Sequence, residues 1–392
     1  MSSSDPPRSG GARLVRGTGG DVLLLSMRRL DDLVAFCLAY ELEDVLGELT
    51  GADRVDAGDR AALELSRRAY KLAVLATRSH RLARAVAPRP STVALDRDYA
   101  LFFPVFNHAH ELYALATVPG WRARCRKAAC FISELWAQQL PGYLLELLAE
   151  FDHVFLGVRH PVAEVARITG RPCTYLPLAA DVVRFAPWPD PPARSIDVCN
   201  IGRRSAVTHA ALIDLARRRR LSYYYDTVAA SGGDGRERTF RVQDPAEHRL
   251  LLAGVLQRSR YYVANRARVN EPEFTQGHDE ISSRFYEGAA AGAVMLGEPP
   301  RSEEFAAQFD WPDAVIPLPF DSPGVGEILA ALDRDPDRIA RARNDGIRNA
   351  ALRHDWVHRI GTVFEKLGLP PTAAMGERAA RLRAMAAAAP GA

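Results

Sequence analysis

The stretch His278 to Glu298, HDEISSRFYEGAAAGAVMLGE, decides the fold. Ser282 or Ser283 stands where a side chain can cap a helix beginning near Arg284, because the first turn of a helix carries N–H groups without partners. Gly292 can close that helix in the left-handed conformation, and Ala293 to Leu296 is a short apolar run of the kind a strand covered on both faces requires. Loop, short helix and buried strand are the repeating step of a parallel sheet with helices packed on it. In such a step the helix N-terminus offers N–H groups and a positive dipole end to a diphosphate, which draws in Ser282, Ser283 and Arg284. Glu287 lies one turn in, where a carboxylate can accept both hydroxyls of a ribose.

The same rhythm extends in both directions. Ile196 to Ile201 is an apolar run ending in Gly202, followed by a helical pattern from Val207 to about Arg218 and a strand at Leu221 to Tyr225. Asp244 to Arg258 reads as helix and Tyr261 to Ala264 as strand, with Asn265 at its end. In the first half, strands are expected at Asp21 to Met27, Tyr99 to Asn107, Ala128 to Ile132 and Val154 to Gly157, with a helix from Asp31 to Leu49. The fold class is therefore α/β, with two Rossmann-like domains whose ligands belong at the C-terminal ends of the strands. The expected division is a disordered leader over 1–20, an N-terminal domain over 21–180, a nucleotide domain over 181–352, a crossing helix over 353–370 and a loose Ala-rich tail over 371–392.

Composition narrows the function. With 392 residues, 47% of them hydrophobic, the chain can bury two cores of ordinary size. Net charge is +3 with acids and bases interspersed, which argues against nucleic acid as a partner. Lysine occurs only at Lys71, Lys127 and Lys366, so anions are left to guanidinium forks and helix N-termini. Cys37, Cys125, Cys130, Cys173 and Cys199 form no metal-ligand spacing, which points to a reducing, cytoplasmic setting. No apolar run approaches the ~20 residues of a membrane span.

The His278 to Glu298 segment resembles the acidic-x7-Glu motif of retaining glycosyltransferases similar to family 4, in particular their CgeB-like, spore-maturation branch, with Asp279 and Glu287 at the motif's spacing. The resemblance implies a GT-B architecture: two Rossmann-like domains facing across a cleft, with a terminal helix crossing back. It implies a nucleoside diphosphate sugar as donor, a hydroxyl-bearing acceptor, no separate cofactor, and ribose binding by Glu287. The donor-sugar contact falls to Asp279 or Glu280. YLPLAADVVRFAP, Tyr175 to Pro187, resembles the family's Pro-rich crossing, with Asp181 and Phe185 near its end. IDVCNIGRRS resembles the strand and glycine turn that opens the nucleotide domain, so Gly202, Arg203 and Arg204 take the diphosphate. RHDWVHRIGTVFEKLGL, Arg353 to Leu369, resembles the crossing helix.

In the first half, FNHAHE and the Ser133-Glu134 pair follow predicted strands, which makes His108 a candidate to orient a sugar and Glu134 a candidate base. No metal is expected. The acidic strings Asp96-Arg97-Asp98 and Asp333 to Asp337 lie respectively before a strand and at a helix junction, away from the ligand edge. A sugar-nucleotide epimerase, or a non-catalytic binding protein, would share the nucleotide half.

Overall fold

The computed structural model describes residues 10–136, 140–227 and 241–389. The chain forms two compact units, the first comprising Met1–Leu176, Arg241–Pro245 and Val363–Thr372, the second Pro177–Phe240, Ala246–Thr362 and Ala373–Ala392.

The first unit is built on seven strands: β1 Arg13–Val15, β2 Val22–Ser26, β3 Asp53–Asp56, β4 Tyr99–Phe106, β5 Cys125–Ile132, β6 His153–Leu156 and β7 Cys173–Tyr175. Their order is β1-β3-β2-β4-β5-β6-β7, parallel except for β1, which runs antiparallel to β3. Every residue of β2 is buried, as a central strand covered on both faces demands. Three strands, β1, β3 and β7, lie outside the expected set. β3 reads DRVD, yet both its acids are buried because arginines meet them. Asp53 accepts from the Gly17 N–H at 2.8 Å and the Tyr99 hydroxyl at 2.8 Å, and pairs with Arg16 at 2.9 Å and Arg97 at 3.0 Å. Asp56 pairs with Arg13 at 3.1 Å and Arg54 at 2.6 Å. Arg13 and Arg16 belong to the expected disordered leader, so that expectation is corrected: these pairs fix part of the leader as an edge strand. Its residues 1–9 lie outside the described residues. The expected helix from Asp31 begins later, at Cys37–Thr50.

The second unit carries β8 Ile196–Cys199, β9 Tyr223–Tyr224, β10 Ser259–Val263, β11 Val294–Gly297 and β12 Ile316–Pro317 in the order β12-β11-β10-β8-β9, all parallel. Val198, Tyr261, Val263, Leu296 and Leu212 centre its core. Both units are thus α/β with an open parallel sheet, the fold class expected.

The expected loose tail is corrected by a helix, Ala373–Ala388, which buries Met375, Leu382 and Met385 and packs on the Pro336–Arg353 helix. Arg378, itself buried, pairs with Asp181 at 2.6 Å and Asp355 at 2.8 Å, both buried. Asp355 also accepts from the Val182 and Val357 N–H groups, each at 2.9 Å, so one carboxylate ties the Pro-rich crossing to the start of the Trp356–Leu367 helix. Removing one partner of a buried charge cluster leaves the others uncompensated. Arg378→Ala is expected to cost about 3–5 kcal/mol, read as a lower urea midpoint, whereas an unchanged midpoint would show that the tail helix is held by its apolar face alone.

Candidate functional site

In an open parallel sheet, ligands sit where the strand order reverses, because two neighbouring strands there send their loops to opposite faces. In the second unit that point lies between β8 and β10. A small cleft opens there, lined by Asn200 and Arg204 after β8, Ser205 and Thr208 at the start of the Ala206–Arg217 helix, Asn265 after β10, and Phe320.

Gly202 has φ +74°, and a Cβ there would meet the Arg284 guanidinium at 2.3 Å. The turn therefore requires glycine, and Arg284 closes over it, donating to the Ile201 carbonyl at 3.2 Å. Arg204 is mostly buried, pairs with Asp226, donates to the Asp226 carbonyl at 2.9 Å and lies over the Tyr225 ring. Arg203 is 41% exposed and reaches Glu271 at 3.0 Å. Ser282 occupies the N-cap position of the Ser283–Ala290 helix, but its hydroxyl donates to the Asn265 carbonyl at 2.7 Å instead of capping; Ser283 opens the helix. Asn265 in turn accepts from the Glu298 N–H at 2.8 Å. Gly202, Arg204, Ser282, Arg284 and Asn265 thus share one sheet edge.

The acids expected to face the donor have partners within the second unit. Glu287 is 4% exposed at its side chain and pairs with the equally buried Arg249 at 2.5 Å, whose guanidinium lies over Phe185. Its carboxylate is held in this buried pair, one turn into the Ser283–Ala290 helix. Asp279 pairs with Arg266 at 3.1 Å and accepts from the Arg301 N–H at 3.2 Å. Glu280 is buried, and its carbonyl accepts from Ala267 N–H at 2.9 Å. Glu298, which the sequence reading passed over, accepts from Phe320 N–H at 2.7 Å and pairs with Arg266 at 2.8 Å. Gly297 before it has φ +159°, and a Cβ there would lie 1.8 Å from the Ala264 carbonyl oxygen, a glycine signal that was legible.

In the first unit the order reverses between β2 and β4, and the loops after them carry Asp31 and His108. Asp31, His108 and Glu111 bring ligand-capable atoms within 4.8 Å of one another. Glu111 accepts from Asn107 through the backbone N–H at 2.6 Å and the side-chain amide at 3.1 Å. Burial pushes Glu111 up to about 8 and lowers His108, which favours the neutral form of each. Glu134 follows β5, and its N–H donates to the Asn107 carbonyl at 2.9 Å; its charge is felt at His108. The acidic strings have structural partners: Asp96 pairs with Arg16, Asp98 with Arg124 at 3.0 Å, Asp333 with Arg260, and Asp335 caps a helix.

Residues 237–365 match the model of a family described as glycosyl transferase-like. No curated protein matches the sequence. Among solved structures, the chain is similar to Anabaena HepE in complex with UDP and glucose, at 12% identity over 89% of this chain and 100% of that one, with a TM-score of 0.48. A glycosyltransferase from Rickettsia africae ESF-5 matches at 8% identity over 88% and 97%, with a TM-score of 0.47, and TarM at 7% over 68% and 54%, with a TM-score of 0.42. Among the described residues no helix is long and apolar enough to cross a membrane.

Two predictions follow from the buried acids. Glu287→Gln leaves Arg249 charged and buried without its anion, so it should lose on the order of 3 kcal/mol of stability; a variant as stable as the parent in chemical denaturation would show that the pair does not hold the helix. Glu111 has a folded pKa above its unfolded value, so its contribution is fully present below about pH 4.5 and is lost as pH rises through about 8. Between pH 5 and 8.5 the parent Tm should fall by about 4 °C or more relative to that of Glu111→Gln, and parallel curves would show an ionised Glu111.

Proposed function

We propose that the chain transfers a glycosyl group from a nucleoside diphosphate sugar to a hydroxyl-bearing acceptor, with retention and without a divalent metal. The observation that carries the reading is the convergence of Gly202, Arg204, Arg284 and Asn265 at the strand-order reversal of the second unit, the last two within residues 237–365, which match a glycosyl transferase-like family. HepE, whose structure holds UDP and glucose, supplies the chemical class of donor to test first. The CgeB-like branch rests on the sequence resemblance.

In the reaction the bond from the anomeric carbon to the diphosphate oxygen breaks, a bond to the acceptor oxygen forms, and the acceptor proton passes to the departing phosphate. Charge grows on the leaving group, so the chain's contribution is donors aimed at that oxygen. Arg204 is fixed by Asp226 and acts as a wall of the site. Arg203 is held by one half-exposed pair, and such pairs contribute only ~0–1 kcal/mol, so a diphosphate can take it from Glu271 at small cost. Asp279 or Glu280 contacts the donor sugar, Glu287 takes the ribose hydroxyls, His108 orients the acceptor or the donor sugar, and Glu134 lies with His108 on the first unit.

A thermal-shift panel of UDP, GDP, TDP and ADP with their sugars should raise Tm for one base, since a ligand at a hundred times its Kd stabilises by about 2.7 kcal/mol; failure of every nucleoside diphosphate would sink the reading. With the donor so found, Arg203→Ala should lower kcat on the order of 10²-fold with little change in Tm, while Arg204→Ala should lower both. Activity should survive exhaustive EDTA treatment, and isomerised donor in the absence of acceptor would indicate an epimerase instead.

A further inference from the structure

On the first unit, the Arg60–Thr77 and His80–Val86 helices pack on each other and present an apolar face that none of the described residues covers. Among the described residues, every exposed large hydrophobic of that unit lies on this pair: Leu65, Leu72, Leu75, Leu82 and Val86, each between 54% and 68% exposed. The longer helix already has a core face, since Leu63, Ser66 and Tyr70 are buried on one side. At 100° per residue, Leu65, Leu72 and Leu75 fall together on a second, separate stripe, where a soluble surface helix would carry polar side chains. The shorter helix buries only Ala83 and turns Leu82 and Val86, four apart, outward.

Charge on the same pair is segregated. From Arg60 to Arg89 the sequence holds eight basic side chains and one acid, Glu64, although the chain as a whole is only +3. The expectation of evenly interspersed charge is therefore corrected by this stretch. Glu64 is shared by Arg67 and Arg68, and Arg84 meets Glu150. Lys71, Arg78 and Arg81 are exposed beside Leu72, Leu75 and Leu82.

We propose that this helix pair docks the protein on an anionic phospholipid surface. An apolar stripe edged by arginine and lysine is what lying in a membrane interface requires: leucines enter the acyl boundary while guanidinium groups meet lipid phosphates. A second copy of the chain would bring an equally cationic face against this one, which charge opposes. A nucleic acid would satisfy the bases and leave the leucines in water.

The test is flotation of the purified full chain with vesicles of phosphatidylcholine and phosphatidylglycerol, against phosphatidylcholine alone. Binding is expected on the anionic vesicles, falling steeply as salt rises from about 0.05 to about 0.5 M. Leu72→Ser with Leu75→Ser, and separately Arg78→Glu with Arg81→Glu, should each weaken it on the order of tenfold or more while circular dichroism and Tm stay those of the parent. No flotation with anionic vesicles, or undiminished binding by the serine variant, overturns the proposal. So does a parent that runs as a dimer which the serine variant dissociates, since the stripe would then be covered by a second copy.

Discussion

A parallel sheet open at its edges has one place where two neighbouring strands send their loops to opposite faces, and everything chemical in this protein is arranged around that constraint. It acts twice. In the second unit the reversal between β8 and β10 gathers Asn200, Arg204 and Asn265 around a cleft. In the first, the reversal between β2 and β4 gathers Asp31, His108 and Glu111. Asn265 is far in sequence from Asn200 and Arg204, and Asp31 from His108 and Glu111; they meet because strand order places their loops side by side.

Buried ion pairs hold the surrounding elements in place, and they share one design. Arginine supplies a planar fork that satisfies two carboxylate oxygens or two separate acids, so one cation can tie three segments together. Arg378 does this for Asp181 and Asp355, and Arg249 does it for Glu287 while stacking on Phe185. Such pairs add little net stability compared with apolar packing, because desolvation offsets most of the attraction. What they add is register: with the acid and the base both buried, a shifted helix would leave one of them unpaired.

That design also explains which parts of the structure were legible in the sequence. Strands with a continuous apolar run, β2, β4, β11, β5 from Ala128 onward and β10 from Tyr261 onward, announce themselves by composition, and the Gly202 turn and the Ser282 to Glu298 step by their glycines and serines. β3 did not, because DRVD is a strand only once Arg13, Arg16 and Arg97 from elsewhere have neutralised its acids. The Ala373–Ala388 helix was hidden for a similar reason: its alanine-rich sequence has a weak apolar face, and Arg378 looks like a surface charge until Asp181 and Asp355 are beside it. Glu287 was legible as a position on its helix, but its partner was not, since Arg249 lies 38 residues away in sequence. A local pattern specifies an element; a charge's partner is a property of the assembled fold.

The edge of the second unit shows how such pairing bears on ligand capture. Arg203, Arg204, Arg266, Arg268 and Arg284 lie there with Asp226, Glu271, Asp279 and Glu298, five cations and four anions, most of them already joined. The edge therefore has little net field with which to draw in a diphosphate from a distance. Its advantage is that carboxylates have already oriented the guanidinium groups, so an arriving anion exchanges for one of them and does not have to order flexible side chains. The exchange is easiest where the resident acid can return to water. Asp226, which also receives the Gly202 N–H, is bound into the turn. Glu271 is the more exposed of the two and is shared between Arg203 and Arg268, so of these two carboxylates it is the one whose return to water meets less resistance.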